Sequence, residues 1–176
     1  MTQVVQNEEA NTLTPVNQGP APEALVTDGR FNLGMYRRPF GNVNPLDARI
    51  GPVALPRFVK NLLLREWEHY ALVNPRWFVS LAMFNSKRVG LAHVVVYDRE
   101  HRRKILYERL PLPSSLQIPS NLWDSVARVV LPRMRIEVKH DMNHGCHRIE
   151  FACEGDQGRP SVQGAFVCHE DLATTE

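Results

Sequence analysis

The sequence predicts a mainly β protein, built as an antiparallel meander that curls into a barrel or half-barrel. Between Glu66 and Arg99, three short apolar runs rich in Val, Phe, Tyr and Trp are separated by residues 74–76 (NPR) and 85–88 (NSKR). Short runs of β-branched and aromatic residues closed by turn formers are typical of strands joined by tight turns. The same pattern continues to Cys168, which gives about eight strands, enough for a small barrel.

The chain before these strands has no clear periodicity. Residues 1–28 are polar and contain Pro15, Pro20 and Pro22, so we expect a disordered tail followed by one β domain over residues 29–176. Residues 31–36 fit a short edge strand, and a proline-rich connection leads from there to Pro56. Residues 59–64 fit either one helical turn or the approach to a strand.

Each of the central runs divides into two faces because side chains alternate along a strand. In residues 66–73, Trp67 and His69 share one face, and Glu68 lies on the other. Residues 77–84 are apolar on both faces, which predicts a central strand that is covered on both sides. Residues 89–98 form the next strand, and residues 105–110 follow after a charged turn.

The second half of the chain continues the meander after a proline-rich loop over residues 111–119. Ser120 or Asn121 could cap a helix, but residues 125–131 are rich in β-branched side chains, which favours a strand. Residues 133–140 and 146–153 alternate between apolar and polar, and residues 161–168 complete the series. From these patterns we expect a core that contains Trp67, Trp77, Phe84, Leu91, Val95, Ile136, Ile149, Phe151 and Phe166.

Charge and cysteine content limit the classes of partner and compartment. Residues 29–168 hold all 21 Lys and Arg residues and 12 Asp and Glu residues, a net charge of +9. These basic residues are scattered over several turns rather than gathered in one stripe, so we expect no nucleic-acid partner. No secretory signal precedes the three cysteines, and no apolar run approaches the roughly 20 residues that span a bilayer. We therefore expect a cytoplasmic protein with reduced thiols and no membrane span.

Five short segments, taken in their order along the chain, carry a family resemblance. They are residues 37–40 (RRPF), 65–70 (REWEHY), 74–78 (NPRWF), 89–92 (VGLA) and 96–98 (VYD). Over residues 29–170 the chain resembles the first half of a bacterial family with a domain of unknown function, DUF2804. The resemblance implies a lipocalin-like (calycin-like) β fold, remotely similar to the two-domain carotenoid hydratase group. Family members are usually twice as long, so the implied partner is a second lipocalin-like domain or another copy in a homo-oligomer.

Four residues of the strands are candidates for the wall of a ligand cavity: Trp67, His69, Trp77 and His93. An imidazole titrates near neutral pH, so the two histidines could also act as acid or base. No recognisable nucleophile accompanies them, and the alternative for Trp67 and His69 is that they only pack across strands. The alternative for His93 is a core histidine that a carboxylate of a neighbouring strand satisfies.

A polar loop before the strands is a second candidate region. Arg37, Arg38, Asn44 and Asp47 could touch a ligand at the mouth of a barrel, or the loop could merely cover the barrel end. An ion pair between Asp47 and Arg49 in this loop would contribute little to stability.

The best candidates for metal ligands are His140, His144, Cys146, His147 and Cys153, which lie near one predicted hairpin. Their spacing matches neither the CxxC nor the HExxH pattern of zinc sites. Alternation also places Cys146 and His147 on opposite faces of a strand. The sequence therefore predicts no metal and no cofactor.

The function that we expect from these features is the binding of a small apolar ligand without catalysis. A small barrel can hold one such molecule, and the sequence contains no Gly-rich phosphate loop and no nucleophile elbow. The alternative, which the family resemblance implies, is part of a hydratase or isomerase that acts on a hydrophobic substrate and needs a second domain. A third interpretation is a half-protein that needs a partner domain for stability.

Overall fold

The computed structural model describes residues 21–34, 36, 39–51, 54–156 and 158–170. Most of the tail predicted over residues 1–28 lies outside these ranges. Strand β1 (Val26–Thr27) falls at its end and pairs with β2 (Arg30–Phe31). Asp28 and Gly29 between them both have positive φ, 51° and 79°. An Asp-Gly pair with two positive φ angles is the favoured connection of a two-residue hairpin.

Two short helical elements connect this hairpin to the main strands. A 3-10 helix spans Pro45–Asp47, and helix α1 spans Arg57–Leu63. The ambiguous segment 59–64 is therefore helical over most of its length, and none of the residues of α1 is buried. Within the described ranges, no helix has the length and hydropathy that crossing a bilayer requires.

The nine remaining strands form two antiparallel sheets in meander order, as the sequence predicts. The first sheet has the order β3-β4-β5-β6, and the second has the order β11-β10-β9-β8-β7. The strands of the first sheet are β3 (Glu66–Val73), β4 (Trp77–Asn85), β5 (Gly90–Asp98) and β6 (Arg103–Arg109). Those of the second are β7 (Leu116–Gln117), β8 (Asp124–Leu131), β9 (Met134–Asp141), β10 (Cys146–Cys153) and β11 (Val162–His169).

Of the expected barrel or half-barrel, a closed barrel does not form among the described residues, because no strand ladder joins one sheet to the other. The chain leaves β6 through Pro111 and Pro113, and it re-enters a ladder only at the two-residue strand β7. Proline has no backbone N–H to donate to a neighbouring strand, so this connection cannot continue the ladder of β6. The two sheets instead stack face to face with open edges.

The core lies between the inner faces of the two sheets. Leu81 and Val94 of the first sheet are fully buried against one cluster with Ile136, Val138 and Ile149 of the second. Fully burying a large aliphatic side chain contributes on the order of 1.5–3 kcal/mol, so this cluster holds the sheets together.

The expected core membership is only partly right. Ile136, Ile149 and Phe151 are buried, while Trp77 and Phe166 are partly buried against the same cluster. The expectation is wrong for Trp67, which is 67% exposed. Trp67 lies on the outer face of the first sheet, together with three further residues expected in the core: Phe84, Leu91 and Val95.

The outer faces of the two sheets differ in character. That of the second sheet is charged, with Arg128, Glu137 and Glu150 side by side across β8, β9 and β10. That of the first sheet is mainly apolar on β3, β4 and β5, while β6 adds Leu106 between the charged Lys104 and Glu108. We call the apolar part of this surface the outer apolar face. It consists of Trp67, His69, Ala71, Val73, Phe78, Ser80, Ala82, Phe84, Leu91, His93, Val95, Tyr97 and Leu106.

All three cysteines are unpaired, as expected, but their surroundings differ. Cys153 is buried on the inner face of β10, and burial raises the pKa of its thiol to about 11. Cys146, at the other end of the same strand, and Cys168 of β11 are partly exposed.

Truncation of a core leucine should destabilise the protein far more than truncation of a surface leucine. Leu81→Ala should lower the free energy of unfolding by about 2–5 kcal/mol, because Leu81 is completely buried. Leu112→Ala is the matched control, since Leu112 is 74% exposed and its loss should cost less than about 0.5 kcal/mol. Urea unfolding monitored by circular dichroism measures both, and equal costs would contradict the assignment of the core.

The thiols should react in a fixed order with iodoacetamide at pH 8. A thiol with a pKa of about 11 is thiolate in roughly one molecule in a thousand at that pH, and Cys153 is also shielded from reagent. Cys146 and Cys168 should therefore be alkylated first, and Cys153 only after denaturation. Peptide mass spectrometry over time checks the order, with the Cys153→Ser variant as control, and early labelling of Cys153 would refute it.

Candidate functional site

A groove opens between the two sheets where β3 and β4 face β10 and β11. Its volume is about 430 Å³. The polar members of its lining are Asn74, Ser161 and Gln163. The apolar members come from both sheets and include Leu72, Trp77, Val79, Phe151, Val162 and Phe166.

Local interactions fix Trp77 in the wall of this groove. The side-chain oxygen of Asn74 accepts hydrogen bonds from the backbone N–H groups of Arg76 at 2.9 Å and Trp77 at 2.7 Å. The Arg76 guanidinium lies over the Trp77 ring, 5.1 Å from its centroid. An Asn side chain that bonds the backbone two or three residues ahead is a common means of setting a turn. The Asn-Pro-Arg turn therefore sets the position of Trp77 as well as ending β3.

The opposite wall depends on a glycine. The rings of Phe151 and Phe166 stack with their centroids 6.0 Å apart and their planes 15° apart. A Cβ atom at Gly164, which lies across the ladder from Phe151, would come within 2.6 Å of the Phe151 ring. Only a residue without a side chain leaves Phe151 in this place, so Gly164 is a structural requirement of the groove.

A second feature, a row of four ionisable side chains, lies between the sheets. The Glu68 carboxylate is 3.2 Å from Nε2 of His140, whose Nδ1 is 2.9 Å from Nδ1 of His147. Nε2 of His147 is in turn 3.1 Å from the Glu170 carboxylate. We call this row the histidine chain.

The histidine chain runs from the interior to the surface. The His140 side chain is only 1% exposed and that of Glu68 is 11% exposed, whereas Glu170 at the other end is 48% exposed. Oε2 of Glu68 is buried and has no hydrogen-bond partner among the described residues. The phenol of Tyr70 lies beside the chain, and burial raises its pKa far above the ordinary value, with a further contribution from the Glu68 carboxylate.

The strand register assembles the histidine chain. His140 and His147 are direct partners across β9 and β10, on the inner face. A tight turn with Gly145 at a φ of 61° joins the two strands, and Gly145 O accepts a 2.7 Å hydrogen bond from Glu170 N–H. That bond holds the segment after β11 close to His147.

Glu68 also contributes to an open cavity of about 370 Å³ beside β3. Most of the wall is apolar, with Val43, Pro45, Leu64, Ile118 and Leu122. The polar side chains in the wall, besides Glu68, are Asn44, Arg65, Glu66 and Ser120.

The structure separates the four candidate wall residues of the sequence analysis. Trp77 lines the groove, whereas Trp67, His69 and His93 lie on the outer apolar face. Trp67 also borders the cavity of about 370 Å³ beside β3. Nε2 of His69 is 3.0 Å from Oγ of Ser80, which satisfies the imidazole locally. Burial lowers the pKa of His93, and the Glu108 carboxylate opposite it on β6 opposes that shift.

The loop candidates have structural roles where they are described. Arg37 and Arg38 lie outside the described residues. Asn44 caps the 3-10 helix by accepting a 3.0 Å hydrogen bond from the N–H of Leu46. Asp47 pairs with Arg57 of α1, and not with Arg49 as expected, since α1 folds back towards this loop.

The five candidate metal ligands also separate. His144 pairs with Asp141 in the turn at 2.7 Å, Cys146 is on the outer face of β10, and Cys153 lies at the far end of that strand. Only His140 and His147 meet. Glu68 lies on the face opposite Trp67 and His69, as alternation predicts, but nothing in that pattern connects this face with the two histidines.

One group of three potential ligands occurs among the described residues, at the turn between β5 and β6. Asp98, Glu100 and His101 each offer an atom within 4.8 Å of the others. Asp98 already accepts bonds from the backbone N–H groups of Glu100 and His101, and its carboxylate is 2.9 Å from the His101 ring. The arrangement is therefore explained by the hydrogen bonds of the turn.

Comparison with known proteins shows the family. The family model described as a domain of unknown function, DUF2804, matches residues 15–173. No curated protein and no solved structure matches the chain, so these comparisons add no support for a similarity to lipocalins or carotenoid hydratases. The match covers nearly the whole chain and agrees with the order of motifs over residues 29–170, and the chain therefore belongs to the DUF2804 family.

Proposed function

We propose that this protein binds a small apolar ligand in the groove between the sheets and does not transform it. The observation that carries the proposal is the lining of the groove, in which Trp77, Phe151 and Phe166 present aromatic surface. A volume of about 430 Å³ falls within the range of about 300–1,000 Å³ that is usual for ligand pockets.

The chemistry of the lining favours binding over catalysis. None of the residues that line the groove is ionisable; its polar side chains are an Asn, a Ser and a Gln. The Ser161 hydroxyl accepts a 2.9 Å hydrogen bond from the N–H of Gly155. The side-chain oxygen of Asn74 already accepts a hydrogen bond from the backbone N–H of Arg76 in the turn after β3. A ligand with an apolar body and one small polar end, such as an acyl or isoprenoid-like molecule, fits this lining.

A lipocalin-like half-barrel remains part of this proposal. It is supported by the meander order of the two sheets and by the groove between their inner faces. The alternative is an enzyme of hydratase or isomerase type that is completed by a second domain. That alternative is favoured by the histidine chain, since buried and coupled ionisable groups are typical of acid–base sites.

The outer apolar face suggests a partner, and we propose that it is a second copy of this chain. Trp67 and Val73 on this face are 67% and 64% exposed, an unusual amount of apolar surface for one side of a sheet. The adjoining edge strand β6 presents Lys104 and Glu108, of opposite charge, on the same side. A two-fold axis would place Lys104 of each copy near Glu108 of the other, so the face is complementary to itself.

Filling the groove should abolish ligand binding. Val162→Trp places a large ring on the inner face of β11, where Val162 lines the groove, and should weaken binding of a fluorescent fatty acid by at least about tenfold. Fluorescence titration of the purified protein measures the dissociation constant.

Val167→Trp is the matched control, because Val167 lies on the outer face of the same strand and is 45% exposed. It should bind the fatty acid as the parent does. A parent that binds no fatty acid, or equal binding by both variants, would refute the groove as the site.

A charge on the outer apolar face should disrupt the dimer. Light scattering after size exclusion should give twice the monomer mass for the parent and the monomer mass for Val95→Glu, because Val95 lies in the middle of that face. Val130→Glu on the outer face of the second sheet is the control and should remain dimeric.

The charge pair provides an independent check of this dimer. Lys104→Glu should weaken the dimer through repulsion with Glu108, and the double variant with Glu108→Lys should restore it. A parent that is monomeric at every concentration would rule out the second copy and leave a different protein domain as the occupant of the face.

A further inference from the structure

We propose that the histidine chain conducts protons between solvent and Glu68, and that Glu68 is an acid–base group for a hydroxyl-bearing ligand in the adjacent cavity. This site is separate from the groove proposed for apolar ligands, because the linings of the two share no residue. A failure of ligand binding in the groove would therefore leave the role of Glu68 and the histidine chain untouched, and the reverse also holds.

The histidine chain is continuous. Three contacts of 3.2, 2.9 and 3.1 Å connect Glu68, His140, His147 and Glu170 without a gap. Each distance lies within or at the edge of the usual hydrogen-bond range, so each contact can hold one proton. Histidine is suited to pass protons because each ring nitrogen can be donor or acceptor.

The hydrogen bonds of the row fix the number of protons that it holds. Three hydrogen bonds need three protons, and the two facing Nδ1 atoms can share only one of them. If Glu68 and Glu170 are both ionised, one imidazole must be positively charged. If Glu68 carries a proton on its oxygen facing His140, both imidazoles are neutral and all three bonds are still made.

These two arrangements differ by one proton step. In that step, the proton on Nε2 of His140 moves across the 3.2 Å contact to the Glu68 carboxylate, and no other atom changes place. Charge that is buried in a protein interior is unfavourable unless it is paired, so the neutral and ionic arrangements compete. The interior end of the row can therefore both accept and release a proton.

The histidine chain connects solvent with a cavity. Glu170 is 48% exposed and exchanges protons with water, whereas Glu68 is part of the wall of the 370 Å³ cavity. Oε2 of Glu68 is buried without a partner among the described residues, and a buried carboxylate oxygen normally accepts a hydrogen bond.

The cavity wall indicates the ligand class. Seven of its twelve lining residues are apolar, and Glu68 is in the lining, so an uncharged molecule with an apolar body and one hydroxyl group fits once the Glu68 carboxylate turns towards it. When Glu68 takes a proton from that hydroxyl, the electron pair stays on the ligand oxygen as an alkoxide. The proton leaves through His140, His147 and Glu170 to water, and the reverse movement restores the hydroxyl group. Nothing is oxidised or reduced in this exchange.

The other ionisable groups packed around the histidine chain are weak acids, so the proton moves along the chain and not through them. Tyr70 of β3 faces His147 with ring centroids 6.0 Å apart, and burial keeps its phenol protonated. Cys168 of β11 is close enough to Tyr70 to influence it, and both groups are weak acids. Among the described residues, the carboxylates in contact with the two imidazoles are Glu68 and Glu170.

The test is a pH titration followed by the ¹⁵N signals of the imidazoles. His140 and His147 should titrate over one shared pH interval, because protons in a coupled row belong to the whole row. Glu170→Gln keeps an acceptor for His147 but removes a charge, and it should shift the signals of both histidines to lower pH by on the order of half a unit.

Two controls accompany this titration. His144, paired with Asp141 in the exposed turn, should titrate alone and should not respond to Glu170→Gln. Glu150→Gln, on the outer face of β10, should leave His140 and His147 unchanged. Separate titrations of His140 and His147, or a His140 signal that ignores Glu170→Gln, would overturn the proton path.

The ligand class is tested with benzyl alcohol and toluene, which share a body and differ in the hydroxyl group. Benzyl alcohol should shift the His140 signal in a saturable manner and toluene should not, and Glu68→Gln should remove the response to the alcohol. Equal responses to the two probes, or no response to either, would overturn the assignment of Glu68 as a hydroxyl-binding acid–base group.

Discussion

The packing of two antiparallel sheets through their inner faces is the interaction on which the other features depend. A shift of β9 by one residue would move Ile136 and Val138 to the surface and bring Arg135 and Glu137 into the core. The register is therefore fixed by burial of apolar area. The same register sets His140 against His147 and holds the Phe151 ring in the groove, so both candidate sites are consequences of core packing.

Local patterns in the sequence predict most of the fold. Alternation and turn residues locate the long strands, and the two apolar faces of residues 77–84 correctly predict a central strand. The expected cover on both sides is wrong, since Phe78, Ala82 and Phe84 on the outer face of β4 are only partly buried. The assignment of faces fails in β3, where size favours Trp67 as the buried residue. The inner face of β3 instead carries Glu66 and Glu68, because Lys87 in the turn after β4 and His140 of β9 are their partners. Those partnerships are not visible in the alternation of a single strand.

The candidate sites are harder to predict because they depend on distant contacts. His140 and His147 can be matched once the hairpin is recognised, since their pairing is local. Glu68 reaches His140 across 72 positions of the sequence, and Glu170 reaches His147 across 23. The groove likewise depends on how far the two sheets open at one edge. Prolines 111 and 113 indicate a break after β6, but not that the break leaves two separate sheets.

The outer apolar face has a practical consequence for anyone who handles this chain. Dyes such as ANS become fluorescent on exposed apolar surface, and their binding is commonly taken as a sign of a molten globule. In the monomer, where no second copy covers the face, the native sheet itself offers Trp67, Val73 and their neighbours to such a dye. A bright dye signal at low temperature would then accompany a fully folded protein, and thermal melts of this chain are better followed by near-ultraviolet circular dichroism.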